Sequence, residues 1–296
     1  MPELPEVETV RLGLVPALEG QRLAKVTIHR PDLRVPFSAG FAKRLTGQRI
    51  TVLKRRAKYL LAETDGPDTL VIHLGMSGRL TIHGPKTSKT PGAFARKPTQ
   101  TKRRSNRQTY GPHDHVVLET ENGTRIVYTD HRRFGLMILV KTAALAQHPL
   151  FKNLGPEPLE RGFTGAALSE ALRNKRTTIK AALLDQRVVA GLGNIYVCEA
   201  LYRARISPKR MALSVAGVRA QRLVRAIKDI LRQAIAAGGS SLRDFAQADG
   251  ELGYFQHRFS VYDRQGEACP RKTCSAKIKR LVQAGRSTWY CPSCQR

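Results

Sequence analysis

The hydrophobic positions in the first half of the chain fall in short runs bounded by turn-forming residues. Seven such runs lie between residues 21 and 140: LAKVTIHR, RITVLKR, TLVIHLGM, RLTIHG, HVVLET, TRIVYTD and LMILV. Runs of this length, rich in Val, Ile and Thr, are typical of β-strands. Glu121, Asn122 and Gly123 form a hairpin-type turn between two of them. The pattern predicts a mainly antiparallel β-sandwich or barrel.

The pattern becomes helical after Pro158. Thr178 is a candidate N-cap for a helix over IKAALLDQRVV, and Ser214 is a candidate N-cap for a longer helix. In the longer one, apolar residues recur on one face until two glycines end it: Leu223, Ile227, Ile230 and Ala234, then Gly238 and Gly239. The second half of the chain is therefore expected to be a helical domain.

A glycine-rich connection, AGLGN, lies between two of the predicted helices. Gly191 and Gly193 permit positive φ and would leave backbone N–H groups next to a helix N-terminus. Such a turn can bind a phosphate, but a glycine-rich connection is more often only a tight turn. Both interpretations stay open at this point.

The segment from Gly84 to Pro112 interrupts the β-rich region. It has no acidic residue and few large apolar ones, but many Lys, Arg, Pro and Thr. Such a segment cannot bury enough apolar surface to order itself. We expect a flexible basic loop and hypothesise that it adds nonspecific affinity for DNA.

Charge narrows the choice of partner. The 296 residues, 41% of them hydrophobic, are enough for two modest domains. The chain has 51 Lys and Arg against 23 Asp and Glu, which gives a net charge of +28. This excess repels itself unless a polyanion is near, so nucleic acid is the expected partner. No stretch approaches the roughly 20 apolar residues of a membrane span, and the start lacks a secretory signal. The sequence thus predicts a soluble intracellular protein without a membrane partner.

Four of the five cysteines lie in the last part of the chain. Cys269 and Cys274 are separated by four residues, and Cys291 and Cys294 by two. Two such pairs on a hairpin bring four thiolates to the tetrahedron that Zn²⁺ prefers, with two disulfides as the alternative. Four sulfur ligands leave no position for water, so one structural zinc ion is predicted. Cys198 is expected to be an ordinary buried thiol.

Seven motifs in a fixed order extend over nearly the whole chain: MPELPEVETV, RRAKYLL, HLGMSG, DHRRFG, GLGNIYV, GYFQHRFSVY and AGRSTWYCPSCQ. In this order they resemble the formamidopyrimidine-DNA glycosylase family, bacterial enzymes that remove oxidised purines. The resemblance implies an α+β fold with DNA in a cleft between domains. Its parts would be an antiparallel β-sandwich (1–145), a helix-two-turn-helix domain (146–240), a lesion-loop and linker region (241–264) and a zinc finger (265–296).

The resemblance assigns the chemistry to the start of the chain. Loss of Met1 would leave Pro2 with a secondary amine, and an α-amino group has a pKa of roughly 8, so part of it is a ready nucleophile at neutral pH. Attack at C1′ of the deoxyribose would release the base and form an iminium that permits strand cleavage. Glu3 would donate a proton to the opening sugar. Glu6 could assist, although helix starts favour acids for electrostatic reasons alone.

The other site residues are also implied by the resemblance. Lys58 and Arg286 match positions for proton donation during elimination and for binding the phosphates that flank the lesion. Met76, Arg132 and Phe134 match the residues that fill the gap left by an extruded base, although Met76 and Phe134 could otherwise be core residues. Six further residues match phosphate contacts: His73, His113, Lys175, Asn194, Tyr262 and Arg280.

The sequence thus predicts a bifunctional DNA glycosylase and AP lyase of base-excision repair, acting as a monomer in the bacterial cytoplasm, associated with the nucleoid. Its substrate would be double-stranded DNA containing 8-oxoguanine or formamidopyrimidines, cleaved by β,δ-elimination. An endonuclease VIII-like enzyme for oxidised pyrimidines and a noncatalytic DNA-binding relative are the alternatives. Two features depart from the family pattern: the four-residue spacing of the first cysteine pair, where two are usual, and the long basic loop.

Overall fold

The computed structural model describes residues 1–84, 110–240 and 253–296. The chain starts with a long helix, and the rest of the first domain is almost entirely β. Its elements are α1 (Leu4–Leu18), β1 (Leu23–Ile28), α2 (Phe41–Leu45), β2 (Ile50–Arg56), β3 (Tyr59–Thr64), β4 (Asp68–His73), β5 (Arg79–His83), β6 (Asp114–Thr120), β7 (Arg125–Thr129) and β8 (Leu136–Lys141).

The strands form two antiparallel sheets with the orders β1-β6-β7-β5 and β2-β3-β4-β8. Inward-facing residues of both sheets share one apolar core with α1, which contributes Val7, Val10 and Leu14. Gly123 adopts φ 83° in the tight turn between β6 and β7. The predicted antiparallel sandwich and its hairpin are confirmed. Strand β3 was not among the seven predicted runs, because both of its faces are largely buried and its Leu60, Leu61 and Ala62 do not alternate with polar residues.

Helices dominate the following region. They are α3 (Gly165–Leu172), α4 (Ile179–Leu184), α5 (Asn194–Arg203) and α6 (Val218–Ala236), with short 3-10 helices at Thr142–Gln147, Ala212–Ser214 and Phe255–Arg258. One face of α6 packs against α3 and α5 in a second apolar core. The helical domain predicted from sequence is therefore confirmed.

The helix ends agree only partly with the predicted caps. Thr178 caps α4, since its Oγ1 accepts a hydrogen bond of 3.3 Å from the nitrogen of Ala181. The prediction for Ser214 is wrong, because its hydroxyl donates to the Met211 carbonyl at 2.8 Å and α6 starts only after Gly217. Helix α4 also ends earlier than predicted, at Leu184.

The AGLGN turn needs its two glycines for different reasons. Gly191 uses the positive φ that glycine permits, at 82°, whereas Gly193 is extended with φ −136°. A Cβ on Gly193 would overlap the carboxyl group of Glu3. Glycine is required at this position by the close approach of the chain start.

The C-terminal module is a two-stranded antiparallel hairpin, β9 (Lys279–Gln283) and β10 (Arg286–Tyr290). It packs on α5 through a small core that includes Trp289, Ile278 and Tyr202. Cys198 is buried in the same core, as predicted. The predicted basic loop and lesion loop fall largely on residues 85–109 and 241–252, outside the described residues. In the described part of the chain, no helix is both long and apolar enough to cross a membrane.

Candidate active site and DNA-binding surface

The start of α1 is inserted between the two domains. Pro2 is buried, and the nitrogen of Leu4 donates to the carbonyl of Gly191 at 3.1 Å. Glu3, only 4% exposed, accepts hydrogen bonds from the backbone nitrogens of Ile195 at 3.0 Å and Tyr196 at 3.4 Å. The N–H groups at the start of α5, considered for a phosphate, therefore bind the Glu3 carboxylate.

Glu6 joins three parts of the chain. Its Oε2 accepts from the nitrogen of Glu3 at 2.9 Å, which fixes the first turn of α1. Its Oε1 accepts from the Tyr196 hydroxyl at 2.5 Å and from the nitrogen and hydroxyl of Ser240, both at 2.9 Å. These four bonds account for a buried carboxylate at this position, and catalytic assistance by Glu6 stays a prediction.

Lys58 lies beside Glu3 at the turn between β2 and β3, where Ala57 has φ 53°. Its side chain is buried, which lowers the pKa of Lys58, while the neighbouring Glu3 raises it. Burial likewise raises the pKa of Glu3, and Lys58 acts in the opposite direction. Arg286 further lowers the pKa of Lys58. The structure thus brings together three predicted catalytic residues that are distant in sequence.

The strand that carries Arg286 is anchored by a residue that the sequence reasoning missed. Lys180 of α4 is fully buried, and its Nζ donates to the Ser287 carbonyl at 2.8 Å and to Thr288 Oγ1 at 2.6 Å. Asn194 Nδ2 donates to the same carbonyl at 3.0 Å. No sequence signal marks Lys180, because a lysine in so basic a chain is usually solvated.

Two exposed loops carry the residues predicted to fill the DNA gap. Met76 lies between β4 and β5 and is 37% exposed, while Phe134 lies between β7 and β8 and is 47% exposed. The Arg132 guanidinium stacks over the Phe134 ring at 4.8 Å. Neither Met76 nor Phe134 is a core residue, so the structural alternative for them is wrong.

His73 and His113 occupy different surroundings near these loops. Burial and the charges of Lys58 and Arg34 lower the pKa of His73 to about 4. Its Nδ1 accepts from the nitrogen of Gly75 at 3.0 Å, so the proton of the neutral ring lies on Nε2, a donor suited to a phosphate. His113 is exposed, and its ring stacks on His131 at 4.3 Å.

The remaining predicted phosphate contacts lie on the helical domain and the hairpin. Lys175 is paired with Asp185 at 3.3 Å, so it is partly neutralised by its own domain. Arg280 binds the Ser287 hydroxyl through Nε and Nη2 at 2.9 and 2.8 Å. Tyr262 packs its ring 4.4 Å from that of Trp289. Direct contact of these residues with phosphate stays a prediction.

The four cysteines of the tail meet at one point. All four sulfur atoms lie within 4.8 Å of one another, with Cys269 to Cys294 at 3.8 Å and Cys274 to Cys291 at 3.6 Å. A tetrahedral Zn²⁺ with Zn–S bonds of about 2.3 Å has sulfurs about 3.8 Å apart, whereas a disulfide requires about 2.05 Å. The cluster therefore fits one structural zinc ion, and the disulfide alternative is wrong.

The longer spacer of the first cysteine pair ties the module to α5. Arg271, in this spacer, donates through Nη2 to the Tyr202 carbonyl at 3.0 Å and lies 4.8 Å over the Tyr202 ring. The Tyr202 hydroxyl in turn contacts Cys269 Sγ at 3.3 Å. Arg271 of this four-residue spacer thus provides a cation–π contact between the zinc module and the helical domain.

Family models match three successive parts of the chain. The formamidopyrimidine-DNA glycosylase N-terminal domain matches residues 1–137, the H2TH domain of the same enzyme 154–246, and the zinc finger found in FPG and IleRS 266–296. Formamidopyrimidine-DNA glycosylases of Phenylobacterium zucineum and Caulobacter vibrioides (strain NA1000 / CB15N) are 58% and 54% identical, covering all of both chains.

Solved structures agree with the family models. MutM (Fpg) from Thermus thermophilus is 38% identical with a TM-score of 0.81, covering 99% of this chain and 98% of its own. Lactococcus lactis Fpg bound to abasic-site DNA is 34% identical with a TM-score of 0.83, covering 99% of each chain. A MutM complex with DNA containing carbocyclic 8-oxo-G is 34% identical over 100% of each chain, with a TM-score of 0.82.

Together the three domains and the buried acid define a zinc-finger DNA glycosylase of base-excision repair. The chain belongs to the formamidopyrimidine-DNA glycosylase family, and with it to the glycosylases that are also AP lyases. The noncatalytic alternative is thereby set aside.

Proposed function

We propose that this enzyme removes oxidised purines, 8-oxoguanine and formamidopyrimidines, from duplex DNA and then cleaves the strand at the abasic site. The observation that carries the proposal is the convergence of Glu3, Lys58 and Arg286 next to the buried Pro2. It is supported by solved relatives whose DNA contains an abasic site, 8-oxo-G or Fapy-dG.

In the first step, release of the base, Pro2 is the nucleophile. After loss of Met1, its secondary amine attacks C1′, and the bond from C1′ to the base breaks with its electron pair leaving on the base. Opening of the sugar places a developing negative charge on O4′, where a proton from Glu3 neutralises it. The raised pKa of Glu3 keeps more of this carboxyl protonated than an exposed glutamate would be at the same pH.

The second step is elimination. The iminium formed by C1′ and the Pro2 nitrogen acidifies the C2′ proton; its removal expels the 3′ phosphate, and a second elimination expels the 5′ phosphate. Lys58 and Arg286 bind the departing phosphates, and the lowered pKa of Lys58 makes this ammonium a better proton donor than an exposed lysine.

Recognition of the duplex uses the exposed loops that carry Met76 and Phe134. Met76, Arg132 and Phe134 enter the base stack in place of the extruded nucleotide. Backbone phosphates contact the residues named for that role: His73, His113, Lys175, Asn194, Tyr262 and Arg280. The enzyme works as a monomer on chromosomal DNA in the bacterial cytoplasm, and the basic loop adds nonspecific affinity.

Borohydride trapping tests this function. The native enzyme should form a covalent adduct with a duplex containing 8-oxoguanine, and Pro2→Gly, which offers a primary amine in a less constrained position, should form far less. A variant that retains one residue before Pro2 should bind DNA but form no adduct. Trapping only on duplexes with an oxidised pyrimidine would instead favour the endonuclease VIII-like alternative.

A further inference from the structure

The loops that carry Met76, Arg132 and Phe134 are joined beneath the surface by one carboxylate, Asp130, which is fully buried at the end of β7. We propose that Asp130 is a positioning residue that holds both loops in a fixed register, so that the three side chains enter the DNA gap as one unit. This inference rests on the proposed function, because it assigns that gap-filling role to the loops.

Each oxygen of Asp130 accepts two hydrogen bonds, and together they reach both loops. Oδ1 accepts from the Ser77 hydroxyl at 2.6 Å and from the nitrogen of Arg132 at 3.3 Å. Oδ2 accepts from the nitrogen of Gly135 at 2.8 Å and from the Tyr128 hydroxyl at 3.3 Å. One side chain therefore binds both Ser77, which adjoins Met76, and Gly135, which adjoins Phe134.

Ser77 completes the connection between the loops. Its Oγ donates to Asp130 and accepts from the nitrogen of Arg132 at 3.0 Å. A hydroxyl next to Met76 therefore fixes the backbone of Arg132, the residue whose guanidinium is proposed to enter the gap. Ser77 is 8% exposed, and bonds to a buried carboxylate are stronger than those between neutral groups.

The backbones of the two loops also touch, which leaves no room for a side chain. A Cβ on Gly75, whose φ is 63°, would overlap the backbone of Phe134 and Gly135. A Cβ on Gly135 would overlap the Tyr128 hydroxyl. The glycines of HLGMSG and DHRRFG thus allow the close packing that the carboxylate then fixes.

This arrangement matters for base extrusion. Three side chains must occupy a gap one base wide at the same moment, and groups held in place before binding lose little freedom on insertion. If the loops moved independently, each insertion would carry its own ordering cost. The role assigned to Asp130 is therefore to lower the cost of opening the duplex, not to act on the sugar.

Asp130→Asn tests this role, because a carboxamide has one oxygen and must present its NH₂ group to the donors of the other carboxylate oxygen, either Ser77 and Arg132 or Gly135 and Tyr128. We expect single-turnover release of 8-oxoguanine from duplex DNA to fall about a hundredfold, while cleavage of a preformed abasic site in single-stranded DNA changes less than about threefold. The single strand has no opposite base and no gap to fill, so it reports on the chemistry alone.

Ser77→Ala is the milder second variant, for use if Asp130→Asn fails to fold. Glu121→Gln is the matched control and should behave as the native enzyme. Glu121 is exposed in the turn between β6 and β7, at the opposite end of β7 from Asp130. Insertion is measured directly with 2-aminopurine opposite a stable tetrahydrofuran abasic analogue, where Ser77→Ala should weaken the fluorescence change seen with native protein.

Equal losses on duplex and single-stranded substrates, or no loss on either, would overturn the role of Asp130. The fluorescence measurement needs no base release. If native enzyme formed no adduct with 8-oxoguanine duplexes yet both variants still lost the insertion signal, the proposed substrate would be wrong and the role of Asp130 would stand.

Discussion

Glu3 Oε1 lies 3.0 Å from the nitrogen of Ile195, so a carboxyl at the start of the chain caps a helix 192 residues further on. The contact fixes the acid against the second domain and buries it. Burial raises the pKa of Glu3, and the two backbone N–H groups at the start of α5 lower it. The same residue is thus a helix cap and the proposed proton donor.

Glu3→Gln separates these two functions. The amide oxygen can still accept from Ile195, and the NH₂ group replaces only the oxygen that accepts the longer 3.4 Å bond from Tyr196, so the melting temperature should fall only slightly. Without an ionisable proton, single-turnover release of 8-oxoguanine should fall by about a hundredfold or more. A variant that melts normally and releases the base at the native rate would contradict the acid role of Glu3.

The pH dependence of base release should reflect Glu3. A proton donor is active below its pKa, so the rate should decline as pH rises through the raised pKa of Glu3. Lys58 lowers that pKa, so Lys58→Met should move this decline to higher pH. Base release is measured separately from strand cleavage, since Lys58 is also assigned to elimination. A decline that shifts to lower pH would exclude this coupling.

His73 should make stability sensitive to acid. Its pKa is lowered from 6.5 to about 4, so the unfolded chain binds a proton in a range where the folded protein does not. Stability from this group is present above pH 6.5 and is lost as pH falls toward 4, by up to about 2 kcal/mol between pH 7 and 5. His73→Gln should lose correspondingly less over that interval in urea unfolding. Equal losses of unfolding free energy in the native enzyme and in His73→Gln would contradict this role of His73.

Lys180 should be required for the placement of Arg286. Lys180→Met keeps the apolar stem but leaves the Ser287 carbonyl and the Thr288 hydroxyl without this donor, at a cost of about 1 to 3 kcal/mol. Affinity for a tetrahydrofuran-containing duplex should fall along with stability. Lys43→Met on the exposed face of α2 is the control and should change neither. Unaltered DNA affinity in Lys180→Met would show that the contact of Lys180 with β10 is not needed for DNA binding.

Zinc removal should act on the C-terminal module first. Each chain should contain one zinc ion by metal analysis, and a chelator should release it with loss of DNA binding and a lower melting temperature. Arg271→Ala should retain the zinc but weaken the packing of the module on Tyr202, so the metal should leave faster. Native release rates in this variant would show that the spacer contact does not secure the module.

The parts of the site that follow from local sequence could be predicted. The cysteine spacing identifies the zinc cluster, and the family motifs point to Glu3 and Lys58, which the fold brings together and whose catalytic roles stay proposals. Lys180 and Asp130 could not be found this way, since a buried lysine and a buried aspartate acquire their roles only from partners that the fold brings to them. Strand β3 was missed for a related reason: burial on both faces removes the alternation by which strands are recognised.

Ser240 should be retained when the segment that follows it is exchanged. Its nitrogen and hydroxyl bind Glu6, and Glu6 binds the backbone of Glu3. A graft that also replaces Ser240 would therefore act on Glu3, the proposed proton donor, through two hydrogen-bonded steps. Exchanging residues 241–252, the proposed lesion loop, while keeping Ser240 should change which base is released, whereas replacing Ser240 as well should also change how fast the base leaves.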